Sequence, residues 1–160
     1  INLYLAELMP ELERVDREPL PRDAEYPFVL SAGERRGETM NTLVRDASWH
    51  RKDAFGALRL SPADAESLGC KTGDTLRLST RRGSATVVAE VTDIMQPGHI
   101  SLPNGQGLEY RSADGRVVKA GAAPNELTDV AARDFLAGTP WHKHVPARLE
   151  RCAASVAETA

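Results

Sequence analysis

The sequence predicts a mostly β fold with short helices, closed into a small barrel, and three observations predict it. Apolar and polar residues alternate through Thr75-Leu76-Arg77-Leu78-Ser79 and again at Ala85, Val87, Ala89 and Val91, the period-two pattern of half-buried strands. Thr72-Gly73-Asp74, Arg81-Arg82-Gly83 and Gln96-Pro97-Gly98 punctuate these runs with turn chemistry. Helical signals are confined to two short stretches. Short strands, tight turns and few helices are the pattern of a β-barrel rather than an α/β domain.

The elements follow in order. Ile1, Tyr4, Leu5, Leu8 and Leu12 recur at helical spacing, and Asp16-Arg17-Glu18-Pro19-Leu20-Pro21-Arg22 stops that helix with charge and proline. Residues 1–25 therefore read as an upstream helix and linker, residues 26–150 as the barrel domain, and residues 151–160 as a tail. Tyr26-Pro27-Phe28-Val29-Leu30 is a strand-like run that empties into Ser31-Ala32-Gly33-Glu34-Arg35-Arg36-Gly37. Leu58 and Leu60 lead into Ser61-Pro62, an N-cap followed by proline at the first helical position, and Gly69 stands where that short helix ends. The two alternating runs around Arg81-Arg82-Gly83 form a hairpin. His99-Ile100-Ser101-Leu102 and the 145–149 segment read as further strands. Between Asn104 and Lys143 the chain is rich in Gly, Ala, Asp and polar residues, which predicts long loops with little regular structure, a feature usually tied to function.

Composition narrows the function. A chain of 160 residues with 41% hydrophobic content buries one ordinary core. A net charge of −3 and a pI near 5.8 argue against a nucleic-acid surface, although Arg35-Arg36 and Arg81-Arg82 remain local anion-binding candidates. Cys70 and Cys152 have neither a disulfide-framework nor a metal-ligand spacing; reduced thiols are expected, with Cys70 packing at the end of a short helix. No run reaches the ~18 apolar residues of a membrane span and no secretory layout opens the chain, so no direct membrane insertion and a cytoplasmic location are expected. The chain opens at Ile1 rather than Met and is expected to be a piece of a longer protein.

The 31–36 turn has two readings. It is either a Gly-containing turn with solvated arginines, or a place where main-chain N–H groups and a forked guanidinium hold a phosphate. Met40-Asn41-Thr42-Leu43-Val44-Arg45 follows closely. Asn41 and Thr42 serve there either as a capped helix start with an exposed Arg45, or as donors and acceptors for a heterocycle edge.

Tyr-Pro-Phe-Val-Leu-Ser-Ala-Gly-x-Arg followed by Met-Asn-Thr-x-x-Arg resembles the C-terminal molybdopterin dinucleotide-binding domain of molybdopterin oxidoreductases, the dimethyl sulfoxide reductase and formate dehydrogenase family. The resemblance continues in order through Leu60-Ser61-Pro62-Ala63-Asp64-Ala65, Thr80-Arg81-Arg82-Gly83, Leu102-Pro103-Asn104-Gly105, Asn125-Glu126-Leu127-Thr128, Gly138-Thr139-Pro140 and Val145-Pro146-Ala147-Arg148-Leu149-Glu150. It implies a double-psi β-barrel, the aspartate-decarboxylase-like fold. It also implies a bis(molybdopterin guanine dinucleotide) cofactor carrying molybdenum or tungsten in the full-length enzyme. Formate-dehydrogenase- or nitrate-reductase-like chemistry on a small molecule would then occur elsewhere, with the remaining domains of the parent oxidoreductase as partners.

What the resemblance implies for residues is specific. Ser31, Ala32, Gly33, Arg35, Met40, Asn41 and Thr42 would face the cofactor, with Asn104, Asn125 and Lys143 from the second half of the chain. Many relatives carry His where Asn104 stands, and Asn104 also suits a left-handed turn. Asn125 reads either as a pterin contact or as an N-cap, and Lys143 either as a cation near pterin or phosphate or as a surface lysine. His142 and His144 are too few for a metal site, so no metal ligand is assigned within this chain. No nucleophile elbow, phosphate-binding Gly-Lys loop or carboxylate pair stands out, so no catalytic residue is assigned and the isolated chain is expected to be inactive. The metal ligand of the family comes from another domain, which excludes Cys70 and Cys152 from that role. Two alternatives remain: a non-enzymatic double-psi barrel that binds a partner, and a self-contained barrel enzyme, for which the sequence shows no convincing nucleophile or processing site.

Overall fold

The computed structural model describes residues 4–15, 17–36, 56–134 and 137–152. A 3-10 turn at Ala6–Leu8 leads into helix α1 (Met9–Val15). Eight strands follow among the described residues: β1 (Phe28–Glu34), β2 (Leu58–Leu60), β3 (Thr75–Thr80), β4 (Ser84–Val91), β5 (His99–Pro103), β6 (Glu109–Arg111), β7 (Val117–Lys119) and β8 (Val145–Arg151). Helix α2 (Pro62–Leu68) joins β2 to β3.

Six strands close into a barrel in the order β1-β5-β2-β4-β3-β8. β5 is inserted between the consecutive strands β1 and β2, and β4 between β2 and β3. β1 runs parallel to β5 and β2 parallel to β4. These two interleavings are the two ψ motifs of a double-psi β-barrel, as the family resemblance implied. Closure removes the exposed edges that an open six-stranded sheet would leave.

Alternation decides what fills the barrel. Leu30, Leu58, Leu60, Leu76, Leu78, Ile100 and Leu102 point inward and are fully buried, while the residues between them, such as Arg59 and Arg77, face out. Leu127 joins them from the long connection before β8 and is equally buried. That connection is more regular than the sequence suggested. β6 and β7 pair as an antiparallel hairpin, Glu109 with Lys119 and Arg111 with Val117, and a 3-10 turn occupies Pro124–Glu126. The hairpin's strands are only three residues long, too short for their alternation to stand out in a Gly- and Asp-rich stretch.

Helix α2 shows its predicted punctuation. The Ser61 hydroxyl accepts from the Asp64 N–H at 3.1 Å, Pro62 takes the first turn, and Gly69 ends the helix in the left-handed region at φ +63°. Asp64 reaches further than a cap. Its carboxylate also accepts from the Gly98 N–H at 2.8 Å, fastening the helix to the turn that launches β5. Cys70 packs against the core, and burial pushes its thiol pKa up, with the nearby Asp74 charge adding to the shift. Both effects disfavour the reactive thiolate.

The first helix behaves differently from the other predicted elements. None of its residues is buried, and Leu5, Leu12 and Val15 remain exposed. Among the described residues no helix is long and apolar enough to cross a membrane.

Candidate functional site

β1 carries the first part of the site, and a one-residue irregularity shapes it. Ala32 pairs with Leu102 and Glu34 with the next residue, Pro103, so Gly33 is an extra residue in the ladder. Gly33 sits at φ +81°, where a side-chain-bearing residue would be strained. Without that bulge Glu34 would continue the series Phe28, Leu30, Ala32 into the core. The bulge turns it to the outer face instead, where its carboxylate accepts from Ser101 Oγ at 2.7 Å and Arg59 Nη1 at 2.7 Å.

Arg36 donates to the same carboxylate at 2.9 and 3.1 Å, and Arg59 also reaches Glu90 at 3.1 Å. The result is a stripe of alternating charge across β1, β5, β2 and β4. Burial alone would raise the Glu34 carboxyl. The Ser101 and Arg36 hydrogen bonds and the Arg36 and Arg59 charges outweigh it and hold the pKa below the ordinary glutamate range. Arg36, with a side chain only 9% exposed, is thus part of the scaffold. The sequence reading missed this network, whose signal was a charge at the outward position of short apolar strands, Leu58-Arg59-Leu60 above all.

The chain returns to Gly33 from two distant places. The Asn104 N–H donates to the Glu34 carbonyl at 3.1 Å, prolonging the β1–β5 pairing into the loop. From the turn before β8, the His142 carbonyl accepts from the Ala32 N–H at 2.7 Å and Lys143 Nζ donates to the Gly33 carbonyl at 3.0 Å. A β-carbon built on Gly33 would lie 3.8 Å from the His142 ring and 3.9 Å from the Asn104 side chain. Gly33, Asn104, His142 and Lys143 therefore form one small-floored cradle. Among the described residues Asn104 Oδ1 is buried there without a hydrogen-bond partner, an acceptor that a ligand donor would satisfy.

His142 also lines the neighbouring cleft, of about 510 Å³, with Arg82, Asn125, Thr128, Asp129 and Pro140. Leu127 anchors that wall. Its side chain is in the barrel, and its carbonyl accepts from Thr80 Oγ1 at 2.8 Å. Asn125 lies inside the 3-10 turn, whose N-cap is Ala123; its amide is exposed beside the cleft rather than used as a cap.

The structure thus brings Gly33, Asn104 and Lys143 together and sets Asn125 on the adjoining cleft. Ser31 is half-buried on β1, and Arg35 is exposed with no ion pair to another described residue. Ala32 contributes least to a ligand-facing surface: its methyl is in the core and its N–H is committed to His142. Met40, Asn41, Thr42 and Arg45 lie outside the described residues. His142 and Thr128 were not selected from sequence as cleft residues. Among the described residues no three His, Cys, Asp or Glu side chains gather as a metal-ligand set.

The donor set suits a polyanionic ligand with a polar heterocycle: an ammonium and guanidinium groups for phosphate, and two side-chain amides for ring edges, one of them with its buried oxygen unpartnered among the described residues. Comparison with known proteins agrees with this chemistry. The family model described as Molydopterin dinucleotide binding domain matches residues 28–146. The dimethyl sulfoxide reductase of Escherichia coli is 33% identical over 129 residues, covering 78% of this chain and 15% of the relative. The formate dehydrogenase alpha subunit of Methanocaldococcus jannaschii is 28% identical over 133 residues, covering 81% of this chain and 17% of the relative. Among solved structures, acetylene hydratase from Pelobacter acetylenicus superposes with a TM-score of 0.62 at 20% identity, over 94% of this chain and 20% of that one. The chain spans less than a fifth of the length of these two sequence relatives.

Proposed function

The chain belongs to the molybdopterin dinucleotide binding domain family, and on that premise we propose that it holds and orients a molybdopterin guanine dinucleotide within a larger oxidoreductase acting on a small molecule. The observation that carries the reading is the convergence of Gly33, Asn104, His142 and Lys143, more than a hundred positions apart at the extremes, on one turn of β1. Beside the part the bulge plays in turning Glu34 outward, the positive-φ glycine, the buried Asn104 acceptor and the Lys143 ammonium support a ligand at that turn.

In this reading the residues divide the work. Lys143 and Arg35 supply positive charge to phosphates, Asn104 and Asn125 read polar ring edges, and Ser31 and Gly33 keep the floor small enough for close approach. Ala32 anchors the turn from the core side. Met40, Asn41 and Thr42 are assigned to the same ligand on sequence alone. When bound, the metal and its dithiolene pterins supply the redox chemistry; these side chains bind, orient and exclude water. No residue here acts on a substrate, and the chain by itself has no turnover.

The test is composition of the natively matured parent protein. Molybdenum or tungsten with about two guanine nucleotides per metal, lowered together by Asn125→Ala and Lys143→Ala, is the expected result. Absence of both metal and nucleotide from well-folded parent protein would overturn the reading and favour a partner-binding barrel.

A further inference from the structure

Five arginines lie near the two halves of the site, Arg35, Arg36, Arg59, Arg81 and Arg82, and the middle three are already engaged. Arg36 and Arg59 are held by Glu34 and Glu90. Arg81 pairs with Asp23 at 2.5 Å and stacks on the Tyr26 ring at 5.4 Å. Its neighbour Arg82 is exposed, forms no ion pair with another described residue, and lines the 510 Å³ cleft that His142 also lines.

Its position is prepared by the backbone. Thr80 Oγ1 accepts from the Arg82 and Gly83 N–H groups at 3.2 and 3.3 Å while donating to the Leu127 carbonyl. Gly83 presses against the Glu126 carbonyl, which a β-carbon would meet at 2.7 Å. The β3–β4 turn and the 125–128 segment are therefore one wall, and Arg82 and Asn125 both line the cleft from it. A second hollow of about 220 Å³ adjoins it, shares Arg82 and Thr128, and is lined by the Trp141 ring and Leu127. Among the described residues the one carboxylate on the large cleft is Asp129, which accepts from the Ala131 N–H at 2.9 Å.

We propose that Arg82 is a diphosphate-binding residue of this cleft, gripping the phosphates of a nucleoside diphosphate moiety whose polar ring lies toward Asn125. The assignment rests on the cofactor-binding reading and adds a residue to it. The volume suits a nucleotide-sized ligand, and a guanidinium with no ion pair among the described residues offers a phosphate its fork of donors. Asp129 opposes the anion and weakens its binding.

Calorimetric titration of the chain with guanosine diphosphate, guanosine and inorganic pyrophosphate tests this. Arg82→Ala is expected to weaken guanosine diphosphate binding roughly tenfold to a hundredfold and leave guanosine unchanged. Arg82→Lys should recover part of the loss, and Asp129→Asn should tighten the diphosphate but not the nucleoside. Circular dichroism melts report whether each variant is folded. Unaltered diphosphate binding in folded Arg82→Ala would overturn the Arg82 assignment and leave the cofactor reading standing. Failure of the unmodified chain to bind guanosine diphosphate would likewise overturn the Arg82 assignment, while the metal and nucleotide content of the parent protein decides the cofactor reading.

Discussion

Lys143 Nζ donates to the Gly33 carbonyl at 3.0 Å, joining the turn before β8 to the bulge of β1 across 110 positions of chain. An exposed ammonium on a carbonyl contributes little to folding, but it retains two further N–H donors beside the cradle. Lys143→Met is therefore expected to change stability by no more than about 0.5 kcal/mol, while guanosine diphosphate affinity falls roughly tenfold. Urea unfolding and calorimetry of the same samples separate the two effects. Full binding by Lys143→Met would reduce the lysine to a surface tether.

The Glu34 network makes a pH prediction. Its folded pKa lies below the ordinary value of 4.5, so the folded state holds the carboxylate more strongly than the unfolded chain does. That contribution is present above pH 4.5 and is lost as pH falls through 4.5 and then through the lower folded pKa. Glu34→Gln should cost about 1–3 kcal/mol at pH 7, leaving Arg36 and Arg59 short of a counter-charge. The gap from the unmodified chain should narrow as the medium is acidified below pH 4.5. A gap that stays constant from pH 7 to pH 3 would contradict the ionic origin.

Leu127 is the anchor of the Asn125 wall. Leu127→Ala removes a fully buried side chain from the barrel, with an expected loss of about 2–5 kcal/mol depending on how far the cavity collapses. Because Thr80 holds the Leu127 carbonyl, the loss should be accompanied by faster amide exchange at residues 125–128. Exchange confined to the hydrophobic core, with that segment still protected, would count against the anchoring role.

Gly83 is needed for space. The 2.7 Å approach of the Glu126 carbonyl leaves no room for a methyl, so Gly83→Ala must push the turn and the 3-10 segment apart at about 1–3 kcal/mol. Nucleotide affinity should fall with stability, since the displacement separates Arg82 from Asn125. A crystal structure of Gly83→Ala with the wall unmoved would refute the steric argument.

Much of the barrel was legible in sequence because its signals are local. Ser61-Pro62 and Gly69 marked both ends of α2, since a cap, a fixed φ and a left-handed terminus each need a particular residue type at one position. Leu76 and Leu78 announced an inward strand face by their spacing alone. The β6–β7 hairpin was missed because three-residue strands leave too few positions for alternation to register.

The candidate site was legible only in part. Gly33, Asn104, Asn125 and Lys143 could be singled out through the family resemblance, but neither their types nor their spacing says which of them meet. Arg36 shows the limit most clearly. By residue type it is interchangeable with Arg35 as an anion-binding arginine, and only the resemblance singled out Arg35; in the fold, the one-residue bulge at Gly33 swings Glu34 outward, and Glu34 draws Arg36 into the scaffold.

By itself, then, the sequence determined the class of fold, the ends of α2, the inward faces of the longer strands and the chemical types available for binding an anion. Each depends on residues within a few positions of one another. The tertiary structure decided which arginine is engaged and which is open to the cleft, that His142 belongs to both halves of the site, and that Leu127 holds Asn125 in place. Those outcomes come from barrel closure, which inserts β5 and β4 between consecutive strands and brings segments more than a hundred residues apart within hydrogen-bonding distance.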